Sequence, residues 1–202
     1  MFSGKPGFLG NWLEDGHSFI FFSQPALSLV QQMVESFPGV HLEQHFDVDY
    51  QDWLGGRLEA ISIGRLEFRP AWEEACSGSE ESTIRFDPGV VFGSGIHPTT
   101  RNCLRALDMA FAAEAPSPVV DLGSGSGLLS LAAAKLGAQQ VVAVDCNPLA
   151  ARTTRANVLR NGLEDKILSL QGRAEDFAAL PARLLAANIH FDILRRLSAM
   201  DA

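Results

Sequence analysis

Apolar residues in this chain fall into short runs separated by glycine, proline and polar turns, and the runs become more regular in the second half. Val119-Val120 and Val141-Val142-Ala143-Val144 are continuous apolar runs, and the stretches 167–170 and 184–189 are apolar except for Ser169 and Asn188, the pattern of strands covered on both faces. Helical segments lie between them. One spans 128–136 and stops at Gly137; another opens at Asn147-Pro148 and closes at Asn161-Gly162; a last one covers 193–200. Strands alternating with helices predict a parallel sheet with right-handed crossovers, a Rossmann-like α/β fold.

The first half is less regular. Residues 18–22, Ser-Phe-Ile-Phe-Phe, read as a strand, and Ser23 with Pro25 as the cap and first-turn proline of a helix carrying Leu27, Val30 and Val34 on one face. Pro38-Gly39 stops that helix, and a second strand over 40–48 completes a small βαβ-like piece. Residues 49–82 form a connecting region, with short strands over 58–63 and 65–68 and a Ser/Glu-rich stretch at 76–82. A glycine-rich loop over 84–100 then leads into a helix whose Leu104, Leu107 and Phe111 share a face. The expected organisation is a small α+β piece over 1–48, a connection over 49–82 and the main α/β domain over 83–202.

Composition narrows the partners. With 202 residues and 47% apolar content the chain can bury a full domain core. Sixteen lysines and arginines face 24 acids, a net charge of −8, and the longest basic run is Arg195-Arg196. A direct nucleic-acid substrate is disfavoured, because phosphate binding needs a positive surface; a basic protein or a small amine suits the charge better. Three cysteines, Cys76, Cys103 and Cys146, have no metal-ligand spacing, and no metal site is expected. No apolar run is long enough for a membrane span or a signal-peptide core, so a reduced, cytoplasmic protein is expected.

The candidate chemistry lies at Asp121-Leu122-Gly123-Ser124-Gly125-Ser126-Gly127, between the first strand of the main domain and its helix. A dinucleotide fingerprint would place its third glycine at 128, where the chain has Leu128, and a phosphate-binding P-loop would need Gly-Lys-Ser/Thr, which does not occur. The Asp-x-Gly-x-Gly-x-Gly spacing resembles instead the first motif of the class I S-adenosylmethionine (SAM) methyltransferases. Gly123, Gly125 and Gly127 let the backbone approach the methionine part of SAM, and Asp121 is placed to orient the turn and the ammonium group. Asp145, ending the next strand, is placed for the ribose hydroxyls. A glycine turn that binds nothing is the alternative, and the two acids weigh against it.

The loop Asp87-Pro88-Gly89-Val90-Val91-Phe92-Gly93-Ser94-Gly95-Ile96-His97-Pro98-Thr99-Thr100 resembles one family closely. Its Phe-Gly-x-Gly-x-His-Pro-Thr-Thr run is the signature of the PrmA family, the methyltransferases of ribosomal protein eleven of the large subunit. The match continues through Asp121 to Gly127, Leu136-Gly137-Ala138, Asp145, Asn161-Gly162 and Ala187-Asn188-Ile189. The resemblance implies SAM-dependent N-methylation of a ribosomal protein, with cofactor contacts at Thr100, Gly123, Asp145 and Asn188, and Asn188 as the residue that orients the amine. His97 reads as a loop histidine satisfying backbone groups rather than a base, and Phe92 as a pocket-lining ring. The alternative is a non-catalytic SAM-binding or protein-interaction module. The N-terminal piece is shorter than the family's ferredoxin-like domain. The sequence also supplies four of the seven strands that the methyltransferase sheet implies, so a C-terminally shortened sheet is expected, with its fourth strand an exposed edge prone to pair with another chain. His190 stands where the family has an apolar residue.

Overall fold

The computed structural model describes residues 2, 4–14, 16–73, 79–91 and 97–200. The chain divides into two compact units, Met1–Arg57 and Leu58–Ala202. In the first, strands β1 (Phe8–Glu14) and β2 (His17–Phe22) pair antiparallel, with Glu14 opposite His17 and Trp12 opposite Phe19. Aromatic packing ties the hairpin together. The rings of Phe2, Phe8 and Phe22 lie with centroids 5.6 to 6.0 Å apart, and those of Trp12 and Phe21 4.5 Å apart. Helix α1 (Leu27–Glu35) leaves Leu27, Leu29, Val30, Met33 and Val34 half-buried, and the single turn α2 (Tyr50–Trp53) is capped by Asp49, which accepts from the Gln51 N–H.

Three expectations fail in this unit. Residues 40–48 are not a strand. Val40, Leu42, Phe46 and Val48 alternate as a half-buried strand should, but the segment enters no ladder and its side chains are exposed. The piece is therefore a hairpin followed by a helix, not a βαβ-like unit. Nor does Ser23 cap α1: the N-cap is Ala26, with no side-chain bond, while the Ser23 hydroxyl donates to the Gly7 carbonyl at 3.4 Å.

The second unit opens with a small sheet of order β3-β4-β5, made of β3 (Ile61–Ile63), β4 (Leu66–Pro70) and β5 (Thr83–Phe86). The last of these corrects the reading of 84–100 as loop throughout. Ile84 and Phe86 are fully buried, and β5 pairs in parallel with β4. Helix α3 (Pro98–Ala113) follows, its buried stripe of Thr100, Leu104, Leu107 and Phe111 recurring at helical spacing.

The main sheet has the order β8-β7-β6-β9, all parallel, from β6 (Val119–Leu122), β7 (Val141–Asp145), β8 (Ile167–Gln171) and β9 (Leu184–Ala187). Its centre is covered on both faces. Val119, Val120, Leu122, Val141, Ala143 and Val144 are each 2% exposed or less, and a fully buried valine or leucine contributes about 1.5 to 3 kcal/mol. Helix α4 (Leu128–Leu136) is buried along most of its length, its three consecutive alanines, Ala132 to Ala134, allowing close approach to the sheet. Helices α5 (Pro148–Arg160), α6 (Ala174–Phe177) and α7 (Phe191–Ser198) complete the layers, with Phe177, Ala178 and Leu197 packed over Val120, Leu122 and Val144. Among the described residues, β9 is hydrogen-bonded on one side only.

Candidate functional site

In a parallel sheet, ligand sites form at the carboxyl ends of adjacent strands, here β6, β7 and β9. The glycine turn leaves β6 at that end. Gly123 and Ser124 donate their backbone N–H groups to the Val144 carbonyl, at 2.7 and 3.0 Å, and Gly127 donates to the Ser124 carbonyl at 2.7 Å. Gly123, Gly125 and Gly127 all have positive φ, so the path itself selects glycine. At Gly123 space selects it again: a Cβ there would lie 2.0 Å from the Ile189 side chain.

Asp121 is 1% exposed beneath this turn. One carboxylate oxygen, Oδ2, accepts from the Ser130 hydroxyl at 2.6 Å, while Oδ1 is buried with no hydrogen-bond partner among the described residues. Burial raises its pKa to about 6; the Ser130 bonds oppose the shift and the charge of Asp145 adds to it. Cys103 on α3 feels the same surroundings, its thiol pushed up by burial and then by the charge of Asp121.

Asp145 ends β7 and joins two turns. Its Oδ2 accepts from the Gly125 N–H and its Oδ1 from the Asn147 N–H, both at 2.9 Å. Desolvation raises its pKa against the pull of those two bonds. Each oxygen keeps acceptor capacity for a further donor.

Two segments far apart in sequence meet at the end of β9. Thr100 lies in the first turn of α3, a helix capped by His97, whose Nδ1 accepts from the Thr99 N–H at 3.3 Å and contacts the Thr99 hydroxyl at 2.7 Å. The Asn188 amide Nδ2 donates to the Thr100 hydroxyl at 3.2 Å. Leu122 pairs with Ala187, which sets Asn188 beside Gly123. His190 caps α7, its ring nitrogen accepting from the Asp192 N–H at 3.4 Å.

The structure thus brings Thr100, Asp121, Gly123, Gly125, Gly127, Asp145 and Asn188 to one end of the sheet. Phe92 lies outside the described residues. Among the described residues no cluster of His, Cys, Asp and Glu could hold a metal ion, and no helix is long and apolar enough to cross a membrane.

Sequence reading missed the face of α5 that supports the turn. Thr154, fully buried, donates to the Gly125 carbonyl at 3.0 Å and contacts the Ser124 hydroxyl at 3.1 Å. Asn157, equally buried, bonds to Asp87 and Ser126, and Asn161 to Arg85. The available signal was polar residues at positions 154, 157 and 161, a helical stripe that composition alone assigns to solvent.

The family model described as ribosomal protein L11 methyltransferase (PrmA) matches residues 23–201. A ribosomal protein L11 methyltransferase of Geobacter sp. (strain M21) is 40% identical over 151 residues, 69% of this chain and 49% of that protein. One of Citrifermentans bemidjiense is 41% identical over 158 residues, 73% of this chain and 51% of that protein. The solved ribosomal protein L11 methylase of Lactobacillus delbrueckii subsp. bulgaricus aligns with a TM-score of 0.56 at 31% identity, covering 69% of this chain and 70% of that one. The chain spans about half the length of the curated relatives it matches. The glycine turn, the Thr100–Asn188 contact and these matches together place the chain in the ribosomal protein L11 methyltransferase (PrmA) family.

Proposed function

We propose that this chain binds S-adenosylmethionine at the carboxyl end of its main sheet and methylates an amine of a protein substrate, in keeping with the ribosomal protein named for its relatives. The observation that carries the reading is the contact between Asn188 and Thr100, because it draws the His-Pro-Thr-Thr segment and the end of β9 together beside the glycine turn. The residues also suit this cofactor. Asp121 is a buried carboxylate whose Oδ1 has no partner among the described residues, and a nearby ammonium group would stabilise its charged form.

SAM supplies an electrophilic methyl group on a sulfonium, open to in-line displacement by a neutral amine. The protein's task is then positioning, which in well-aligned cases lowers a barrier by up to about 7 to 11 kcal/mol. Asp145 would hold the ribose hydroxyls on lone pairs left over from its bonds to Gly125 and Asn147. The Thr100 hydroxyl and the first-turn N–H groups of α3 suit the carboxylate of the methionine part. With the Asn188 Nδ2 engaged on Thr100, its Oδ1 is the atom that would accept from the incoming amine, orienting its lone pair without a charge that would hold it protonated. An α-amino group, with a pKa of about 8, reaches the neutral form more readily than a lysine at about 10.4. The chain's net charge of −8 favours a basic partner. Among the described residues no helix could cross a membrane, and we place the activity in the cytoplasm, where ribosomal proteins are made.

Two measurements test this. Calorimetry with SAM and S-adenosylhomocysteine should give binding where NAD gives none. Radiolabelled SAM incubated with a panel of ribosomal proteins should label one of them. Binding without transfer would remove the catalytic half of the reading, and no binding would remove all of it.

A further inference from the structure

Helix α5 holds two otherwise separate turns through one side chain. Asn157, fully buried, uses its Oδ1 to accept from the Asp87 N–H at 2.9 Å. Its Nδ2 donates to the Asp87 carbonyl at 2.9 Å and to the Ser126 carbonyl at 2.8 Å. The amide therefore clips onto Asp87 as a neighbouring strand would, and through its second donation onto the glycine turn. Asp87 is itself the start of a turn, its Oδ1 accepting from the Gly89 N–H at 2.9 Å. Gly89, at φ +60, sits against Thr153 of the same helix. One turn earlier on α5, Thr154 holds the Gly125 carbonyl at 3.0 Å. A peptide unit is planar and trans, so fixing the carbonyls of 125 and 126 against α5 fixes the direction of the N–H groups on the opposite side of the same peptides.

We infer that Asn157 is a positioning residue for the cofactor site: it sets the glycine turn against α5 and locks it to the Asp87 turn that leads towards the His-Pro-Thr-Thr segment. The inference rests on the reading of this turn as the SAM site. A purely stabilising role would look different, and the neighbouring asparagine supplies the comparison. Asn161 makes the same clip one turn further along, accepting from the Arg85 N–H at 2.9 Å and donating to the Arg85 carbonyl at 2.7 Å. Its second donation goes to the Asn157 backbone carbonyl at 2.7 Å, within α5, and none of these bonds reaches the glycine turn.

Asn157→Asp and Asn161→Asp are therefore a matched pair. Each keeps the acceptor and loses two donations, and at 157 the new carboxylate stays beside Arg160, which already donates to that oxygen. In the whole chain, with S-adenosylhomocysteine as the probe and thermal unfolding measured in parallel, both variants should lose stability. Asn157→Asp should weaken binding about tenfold or more, a change of one decade in the equilibrium constant, and Asn161→Asp should stay within about twofold. Should Asn157→Asp not fold, Asn157→Ser, which keeps a hydroxyl able to serve one carbonyl, must show the same selective loss. Equal affinity of either 157 variant and the unsubstituted chain, or an equal loss at 161, overturns the positioning role while leaving the SAM site intact. Failure of the unsubstituted chain to bind removes the site and this role together.

Discussion

In the proposed SAM site Asp121 would help binding while costing stability, and one substitution separates the two. Its pKa lies at about 6 instead of 3.8 because burial penalises the charged form. A carboxyl raised in the folded state favours folding while protonated, so its contribution is complete below about pH 4 and is lost as the pH rises through about 6. Asp121→Asn keeps an acceptor for the Ser130 hydroxyl and removes the ionisation. At pH 8 the ligand-free variant should be more stable by roughly 2 to 3 kcal/mol, at about 1.36 kcal/mol per pKa unit, and the gain should vanish near pH 4. Affinity for S-adenosylhomocysteine should move the other way, weakening in the variant. Denaturant unfolding from pH 4 to 8 checks the first sign and calorimetry the second. Asn188→Ala makes a different kind of test. It removes the bond to Thr100 and the amide oxygen beside it, and should reduce turnover much more than SAM affinity if that oxygen orients the amine. Parallel losses in both would reduce it to a cofactor contact.

The elements differ in how openly the sequence announces them. β6, α4, β7 and α5 were legible because apolar runs, glycine stops and the Asn147-Pro148 opening are local signals; the Asn147 side chain does cap α5, accepting from the Leu149 N–H at 2.9 Å. β5 was hidden by its length: four residues, Thr83 to Phe86, give too short an alternation to separate from a loop, and its partner β4 is supplied by tertiary structure. The stretch 40–48 erred in the opposite sense, since its alternation is real but among the described residues no strand edge receives it. The motif glycines were legible as a tight turn after β6, whereas Ile189 as the wall against Gly123 was not, because that contact depends on β9 lying beside β6. The contact is testable against a neutral glycine. Gly123→Ala adds a Cβ at φ +75, 2.0 Å from Ile189, and must displace the segment that carries Asn188. Gly162→Ala adds one at φ +60 with nothing within 4 Å, so it should cost only the left-handed strain, about 1 to 2 kcal/mol. Binding of S-adenosylhomocysteine should collapse in the first variant and persist in the second.

At the scale of the whole molecule, the open side of β9 dominates expectations about behaviour in solution. Leu184 to Ala187 pair with β6 on one side, and among the described residues no strand pairs on the other. The strand carries no lysine, proline or bulge that would discourage pairing, and Leu185 is 48% exposed. Beside it lies an apolar cavity of about 370 Å³, lined by residues including Leu122, Leu185, Ala187, Leu194, Leu197 and Met200, the surroundings of a strand suited to neighbours on both sides. Two copies related by a two-fold axis would join their β9 edges antiparallel. Centred on Leu185, that register sets Leu185 opposite its own copy, Leu184 opposite Ala186 and Arg183 opposite Ala187, with no like charges facing. The chain should therefore associate as its concentration rises, and Leu185→Lys should restore the monomer by placing a charge on the edge. Light scattering over a concentration series, with hydrogen exchange at 184–187, measures both effects. A monomer at every concentration whose 184–187 amides exchange freely would remove this edge as an interface.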